Sequence, residues 1–175
     1  MAIPAQSGQL DDDTLDFARR VFQYARAGAT DELATLLGQG LPANLRNERG
    51  DSLLMLACYH GHLETARVLL DHGADPELLN DAGQTPLAGA AFKGDAAVVS
   101  LLLERGAEVD AAGPNGKTAL MIAAMFNRVE IMRMLVERGA DPRLHDAAGI
   151  PIREAAAKMG AVEAVDYLNQ AMDAQ

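Results

Sequence analysis

Histidine is the residue type in this sequence whose spacing comes closest to that of a metal site. His60 and His62 form a His-X-His pair, and His72 follows ten residues later. Imidazole is a good zinc ligand, but a structural zinc site usually has four protein ligands. We therefore interpret the three histidines as structural residues. A metal-binding protein or enzyme that uses His60 and His62 is kept as an alternative.

Two further features carry potential chemistry. Cys58 is the single cysteine, so an intramolecular disulfide is impossible, and no Cys–His or Ser–His–Asp arrangement can be placed around it. The segment from Gly113 to Thr118 ends in Gly-Lys-Thr, like a phosphate-binding loop. The first glycine of that motif is missing, because Ala111 stands at its position. The sequence therefore predicts a protein that is not an enzyme and that uses no metal or other cofactor.

Composition and charge exclude further classes of function. The chain has 175 residues, 49% of them apolar, and a formal net charge of −10. It has no stripe of Lys and Arg, which argues against nucleic acid as a partner, and an acidic surface disfavours anionic membranes. No apolar run approaches the ~20 residues of a membrane helix, and Met1 to Leu10 does not resemble a secretory signal. We expect a cytoplasmic protein whose negative charge serves solubility or attracts a basic patch on a partner.

The chain repeats itself with a fixed period. One series of glycines is Gly50, Gly83, Gly116 and Gly149, and a second is Gly40, Gly73, Gly106 and Gly139; alanine recurs at Ala57, Ala90, Ala123 and Ala156. Every step in these series is 33 residues, without insertion or deletion. Two series locked to one period indicate a repeat architecture, in which each unit buries its apolar face against its neighbours.

The segment from Gln84 to Ala90, Gln-Thr-Pro-Leu-Ala-Gly-Ala, resembles the Thr-Pro-Leu-His-X-Ala signature of ankyrin repeats. Lys117 to Leu120 and Asp51 to Leu54 are looser copies. The resemblance covers roughly residues 14–170. It implies an all-α ankyrin-repeat solenoid of about five stacked helix-turn-helix units with projecting hairpin loops. The predicted organisation is a flexible tail over 1–12 and one domain over 13–175, with repeats near 14–46, 47–79, 80–112, 113–145 and 146–175.

The recurring residues have physical roles in such a fold. Ser52, Thr85 and Thr118 stand where a hydroxyl can cap the first helix of a repeat, and Pro86 suits the first helical position. Glycines such as Gly73 are expected to end the second helices in the left-handed conformation, and Asn127 replaces glycine at one turn between helices. The fifth repeat loses the hydroxyl cap at Ile150 to Arg153. The first repeat diverges most, with Tyr24 in place of the small alanine.

The resemblance also implies where a partner binds, because ankyrin repeats differ from one another at exposed positions of the first helices and of the hairpin tips. Together these positions form a concave face. On the helices they are Tyr59, His60, Phe92, Lys93, Met125, Phe126, Lys158 and Met159; on the tips they include Arg46, Glu48, Arg49, Asp51, Leu79, Asp81, Gln84, Asn115, Lys117 and His145.

Three of the seven Phe and Tyr residues fall on the predicted helical stripe: Tyr59, Phe92 and Phe126. Exposed aromatic and methionine side chains are typical of binding surfaces. The alternative is that they pack back onto the hairpins. We therefore predict a non-enzymatic protein-interaction module, of bacterial style and monomeric, that serves as an adaptor, inhibitor or immunity-like factor. A self-assembling structural protein and an accessory factor to an oxidative-stress enzyme remain alternatives.

Overall fold

The computed structural model describes residues 12–173, and this range contains ten α-helices and no β-strand beyond two isolated bridges. The helices are α1 (Asp12–Ala27), α2 (Thr30–Gly38), α3 (Leu53–His60), α4 (Leu63–Asp71), α5 (Pro86–Lys93), α6 (Ala96–Glu104), α7 (Ala119–Met125), α8 (Val129–Glu137), α9 (Ile152–Lys158) and α10 (Val162–Asp173).

The helices stack in two rows. Each odd-numbered helix packs against the next odd-numbered helix, from α1 to α9, and the even-numbered helices form a parallel row from α2 to α10. Within each repeat the two helices also pack against each other. The result is a solenoid of five helix pairs, which confirms the predicted all-α architecture.

Hydroxyl caps begin the first helices of the three central repeats. The side-chain oxygens of Ser52, Thr85 and Thr118 accept hydrogen bonds from backbone N–H groups three residues later, at 3.0, 3.1 and 3.2 Å. All three side chains are buried, so each cap satisfies a donor that water cannot reach. Pro151 precedes α9 and provides no such bond, as the sequence predicted for the fifth repeat.

The turns between and after the helices use left-handed backbone where the sequence predicted it. Gly73 has φ +83° at the end of α4. Asn127 has φ +56° and is the only residue other than glycine in the described range with positive φ. Its side-chain oxygen also accepts a hydrogen bond from Ala164 N at 2.9 Å, which ties the fourth repeat to the fifth.

The core consists mainly of leucine and alanine in the repeat register. The register alanines Ala57, Ala90, Ala123 and Ala156 have no exposed surface, and Leu54, Leu87 and Leu120 are likewise buried at 33-residue intervals. Small side chains at the alanine positions allow neighbouring helices to approach closely. Tyr24 is tolerated at the corresponding position of the first repeat because it lies at the end of the described stack, where it is half-buried beside Phe17 and Leu36.

The N-terminal boundary differs slightly from the predicted one. Residues 1–11 of the predicted flexible tail lie outside the described residues, but Asp12 is already the first residue of α1. Asp12 and Asp13 occupy the first turn of that helix, where negative charge interacts favourably with the helix dipole. Because α1 begins at Asp12 and ends at Ala27, it has 16 residues and is twice as long as α3 and α5, which have eight residues each.

Candidate protein-binding surface

Three aromatic rings from successive repeats form a continuous ladder. Tyr59 stacks on Phe92 with ring centroids 5.3 Å apart and planes 9° apart, and Phe92 meets Phe126 edge to face at 4.6 Å and 81°. Both arrangements are favourable for aromatic pairs. Tyr59 and Phe126 remain 42% and 37% exposed, whereas Phe92 between them is half-buried. The rings therefore pack on one another and still present an apolar surface to solvent.

The fourth repeat departs from the expected register in this ladder. By the 33-residue offset, Met125 should follow Tyr59 and Phe92 in the exposed stripe. Instead, α7 ends at Met125, one residue earlier than the register predicts, and Phe126 is the C-cap residue. Met125 is half-buried and packs against the core. Phe126 thus extends the aromatic ladder into the fourth repeat, and Met125 beside it is half-buried like Phe92; the binding role of both stays a prediction.

The first two hairpin tips lie beside Tyr59 of this stripe, and hydrogen bonds close their turns. We number the four tips first (46–51), second (79–84), third (112–117) and fourth (145–150). In the first tip the side-chain oxygen of Asn47 accepts hydrogen bonds from Arg49 N and Asp51 N, both at 2.9 Å. Asn80 and Asp146 act in the same way in the second and fourth tips. Such closed turns present their side chains with little conformational freedom to lose on binding.

A groove of about 690 Å³ joins the ladder to the first two tips, and we call it the ladder groove. It brings together seven of the predicted partner-binding residues: Tyr59, His60, Glu48, Arg49, Asp51, Asp81 and Gln84. Hydrogen bonds hold the two tips side by side, since Asp81 N donates to Arg49 O at 3.0 Å and Asn80 Nδ2 donates to Asp51 Oδ1 at 2.9 Å. The predicted helix and tip positions therefore form one surface in the first half of the solenoid.

Other predicted residues lie apart from this groove. Arg46, Leu79 and Asn115 line a separate groove of about 520 Å³ along the tips. The guanidinium of Arg46 is occupied there, because it donates to Gly50 O at 2.9 Å and to Leu79 O at 2.8 Å and lies 3.4 Å from an oxygen of Asp81. Five predicted residues line neither groove: Lys93, Lys117, His145, Lys158 and Met159. Of these, Lys158 pairs with Glu154 at 2.8 Å, and Met159 is 50% exposed.

The histidines and the cysteine are accounted for by packing and hydrogen bonds. His62 Nε2 lies 2.8 Å from Arg26 O, and His72 Nδ1 lies 2.9 Å from Val68 O. Partial burial, followed by the nearby charges of His62, Lys93 and Arg26, lowers the pKa of His60, while burial raises the pKa of the Cys58 thiol. Within residues 12–173 no three His, Cys, Asp or Glu side chains converge as metal ligands would.

One residue that the sequence prediction missed belongs to the same surface. Arg26 precedes Tyr59 by 33 residues and therefore occupies the equivalent position of the first repeat. Its side chain is half-buried and lines the ladder groove. The signal was present in the sequence as the 33-residue offset, but the divergence of the first repeat hid it.

Comparison with known proteins decides the family. The family model for ankyrin repeats matches three times, over residues 21–112, 79–146 and 110–175, and so covers nearly the whole chain. This chain belongs to the ankyrin-repeat family. A Pseudomonas aeruginosa protein named "Putative ankyrin repeat protein" is 55% identical over 60 residues, which is 34% of this chain and 35% of that protein. The chain therefore aligns with about a third of the length of this relative.

Membership supports a coarse statement of function. Ankyrin repeats generally mediate protein–protein interactions and are typically non-enzymatic. No helix within residues 12–173 of this ankyrin-repeat protein is long and apolar enough to cross a membrane. The aromatic ladder and the tips beside it are the candidate surface for such an interaction.

Proposed function

We propose that this ankyrin-repeat protein binds one partner protein through the aromatic ladder and the adjoining tips. We further propose that it does so in the bacterial cytoplasm, as an adaptor, an inhibitor or an immunity-like factor, without catalysing a reaction. The observation that carries the proposal is the ladder itself. Tyr59, Phe92 and Phe126 contact one another across three successive repeats while the outer two rings remain 42% and 37% exposed.

The chemistry of the ladder suits a binding site better than a core. Aromatic side chains dominate the energetic centres of protein interfaces, and an exposed apolar patch bordered by polar groups is typical of such interfaces. The ladder has this polar border, because Glu48, Asp51 and Gln84 stand on the tips beside Tyr59 in the ladder groove. Ring–ring contacts hold the apolar centre in place before a partner arrives, which reduces the entropy lost on binding.

The proposal predicts that Phe126→Ala weakens binding of the partner by about tenfold or more, since truncation of an aromatic hot-spot residue typically costs about 1.4 kcal/mol or more of binding free energy. The partner would first be captured from a lysate of the native host on immobilised wild-type protein and identified by mass spectrometry. Its affinity for each variant would then be measured by isothermal titration calorimetry.

Phe17→Ala is the matched control for this experiment. Phe17 is 39% exposed, nearly the same as Phe126 at 37%, but it lies on the outer side of α1 with Tyr24 and Leu36, away from the ladder. We expect Phe17→Ala to leave the affinity unchanged. Equal losses in both variants, or no loss in Phe126→Ala, would show that the partner binds elsewhere.

A further inference from the structure

A third groove, at the N-terminal end of the solenoid, is lined mainly by positive charge. It encloses about 960 Å³ between α1 and the first tip, and we call it the basic groove. Five of the chain's 15 Lys and Arg residues line it, against one of its 25 Asp and Glu residues, Glu48. The five are Arg19, Arg20, Arg26, Arg46 and Arg49. This groove is therefore a positive region in a chain with a formal net charge of −10.

Three of these arginines have no counter-ion within residues 12–173. Arg19 pairs with Asp16 at 2.9 Å, and Arg46 is held by the tips as described above. Arg20, Arg26 and Arg49 form no ion pair with any carboxylate of residues 12–173. Arg26 is half-buried, whereas Arg20 and Arg49 are exposed. A planar guanidinium can bind a carboxylate through two parallel hydrogen bonds.

The basic groove is continuous with the ladder groove. Arg26, Glu48 and Arg49 line both grooves, and Tyr59 lines the ladder groove. In the repeat register, moreover, Arg26 stands one repeat before Tyr59 and two before Phe92. A single extended segment of a partner can therefore contact the arginines and the aromatic rings together.

We infer that the partner presents an acidic segment, with Asp or Glu side chains that bind Arg26 and Arg49 and an apolar side chain further along that packs on the ladder. This inference rests on the proposed function and specifies the chemistry of the partner. Neighbouring helices lie about 8–10 Å apart, so Arg26 and Phe92 are separated by roughly 16–20 Å, a distance that about five or six residues of extended chain span.

The charge of the rest of the molecule restricts the occupant to a short acidic segment. Outside the basic groove, residues 12–173 contain 23 Asp and Glu residues against ten Lys and Arg residues. A long polyanion such as a nucleic acid would run from the groove onto this negative surface and be repelled. A short acidic stretch within an otherwise less acidic protein avoids that repulsion.

A displayed library of short linear peptides, selected on the immobilised full-length protein, tests the inference. We expect the selected peptides to be enriched in Asp and Glu on one side of an apolar or aromatic residue. The affinity of a selected peptide should fall about tenfold or more in Arg26→Gln/Arg49→Gln, because two charge-assisted hydrogen-bonding partners are removed. Circular dichroism of each variant shows whether the fold is kept.

Arg138→Gln/Arg153→Gln is the matched control. Both residues are exposed and line neither groove, and the change in net charge is the same. We expect less than about a twofold loss of affinity in this control, since exposed charges at a distance contribute little. A loss as large as that of Arg26→Gln/Arg49→Gln would show a general charge effect and overturn the inference.

Other outcomes separate the inference from the proposed function. Selected peptides without Asp or Glu, whose binding depends on Phe126 but not on Arg26 and Arg49, overturn the inference and leave the proposed function standing. A library that yields no binder also overturns the inference. The proposed function is tested separately, by the affinity of the captured partner for Phe126→Ala. An oligothymidylate probe that binds more tightly than the selected peptides, and that depends on the same arginines, would assign the basic groove to nucleic acid instead. A second labelled copy of this chain that binds in the same way would assign it to self-association.

Discussion

Leu102→Ala is expected to lower the free energy of unfolding by about 2–5 kcal/mol, the range found when a fully buried leucine is truncated in a well-packed core. Leu102 lies on α6 in the central repeat and has no exposed surface. In a solenoid, stability comes largely from the interfaces between neighbouring repeats. A cavity in the central repeat therefore weakens the packing on both of its sides, and chemical denaturation followed by circular dichroism measures the loss.

Leu103→Ala provides the comparison on the same helix. Leu103 is next in sequence but only half-buried at the edge of the core. The same atoms are removed, but they bury less apolar surface, and solvent can fill part of the space that they leave. We therefore expect a clearly smaller loss of unfolding free energy. Equal losses for the two variants would contradict the assignment of Leu102 to the centre of the core.

Gly116→Ala is expected to cost about 2–4 kcal/mol of stability, through two effects that add. Gly116 has φ +68°, a conformation that costs any residue with a Cβ about 1 kcal/mol or more. In addition, a Cβ at this position would lie 2.6 Å from Ala147 N and 2.9 Å from Asp146 C, which are backbone atoms of the next tip. Overpacking of this kind typically costs about 1–3 kcal/mol more.

Gly149→Ala separates these two effects. Gly149 holds the equivalent position in the last tip and has φ +77°, but a Cβ there would meet nothing within 4 Å. We expect this variant to show the backbone strain alone, about 1 kcal/mol. If Gly116→Ala and Gly149→Ala lost the same stability, the close stacking of the third and fourth tips would be absent in solution.

The stacking of the tips matters for binding as well as for stability. Ala147 N donates to Asn115 O at 3.0 Å, just as Asp81 N donates to Arg49 O, so the tips are linked pairwise through their backbones. These bonds set the spacing of the side chains that border the ladder. A substitution that separates two tips should therefore also disturb the surface on which a partner rests.

Much of this fold followed from local chemistry repeated at a fixed interval. The hydroxyl caps at Ser52, Thr85 and Thr118 and the left-handed turn at Asn127 are determined within a few residues of each position, and the structure shows all of them. The 33-residue period then predicted how the units stack, because each unit must bury its apolar face against a neighbour.

The candidate surface was harder to predict, because it depends on where individual helices end and on contacts between repeats. The sequence predicted Phe126 on the stripe, but not its edge-to-face contact with Phe92, since α7 ends one residue early and Phe126 is its C-cap residue. Arg26 and the pairing of charges in the basic groove depend on the long first helix and on the first tip together. The binding role of these residues stays a prediction.

The most direct measurement of the central claim is site-specific photo-cross-linking in a lysate of the native host. The protein would carry p-benzoylphenylalanine either at Phe126, on the ladder, or at Phe17, which has similar exposure on another face. We predict that irradiation links a partner protein to the position of Phe126 and not to that of Phe17. A partner that is cross-linked from Phe17 alone, or none from Phe126, would contradict the assignment of the ladder as the binding surface.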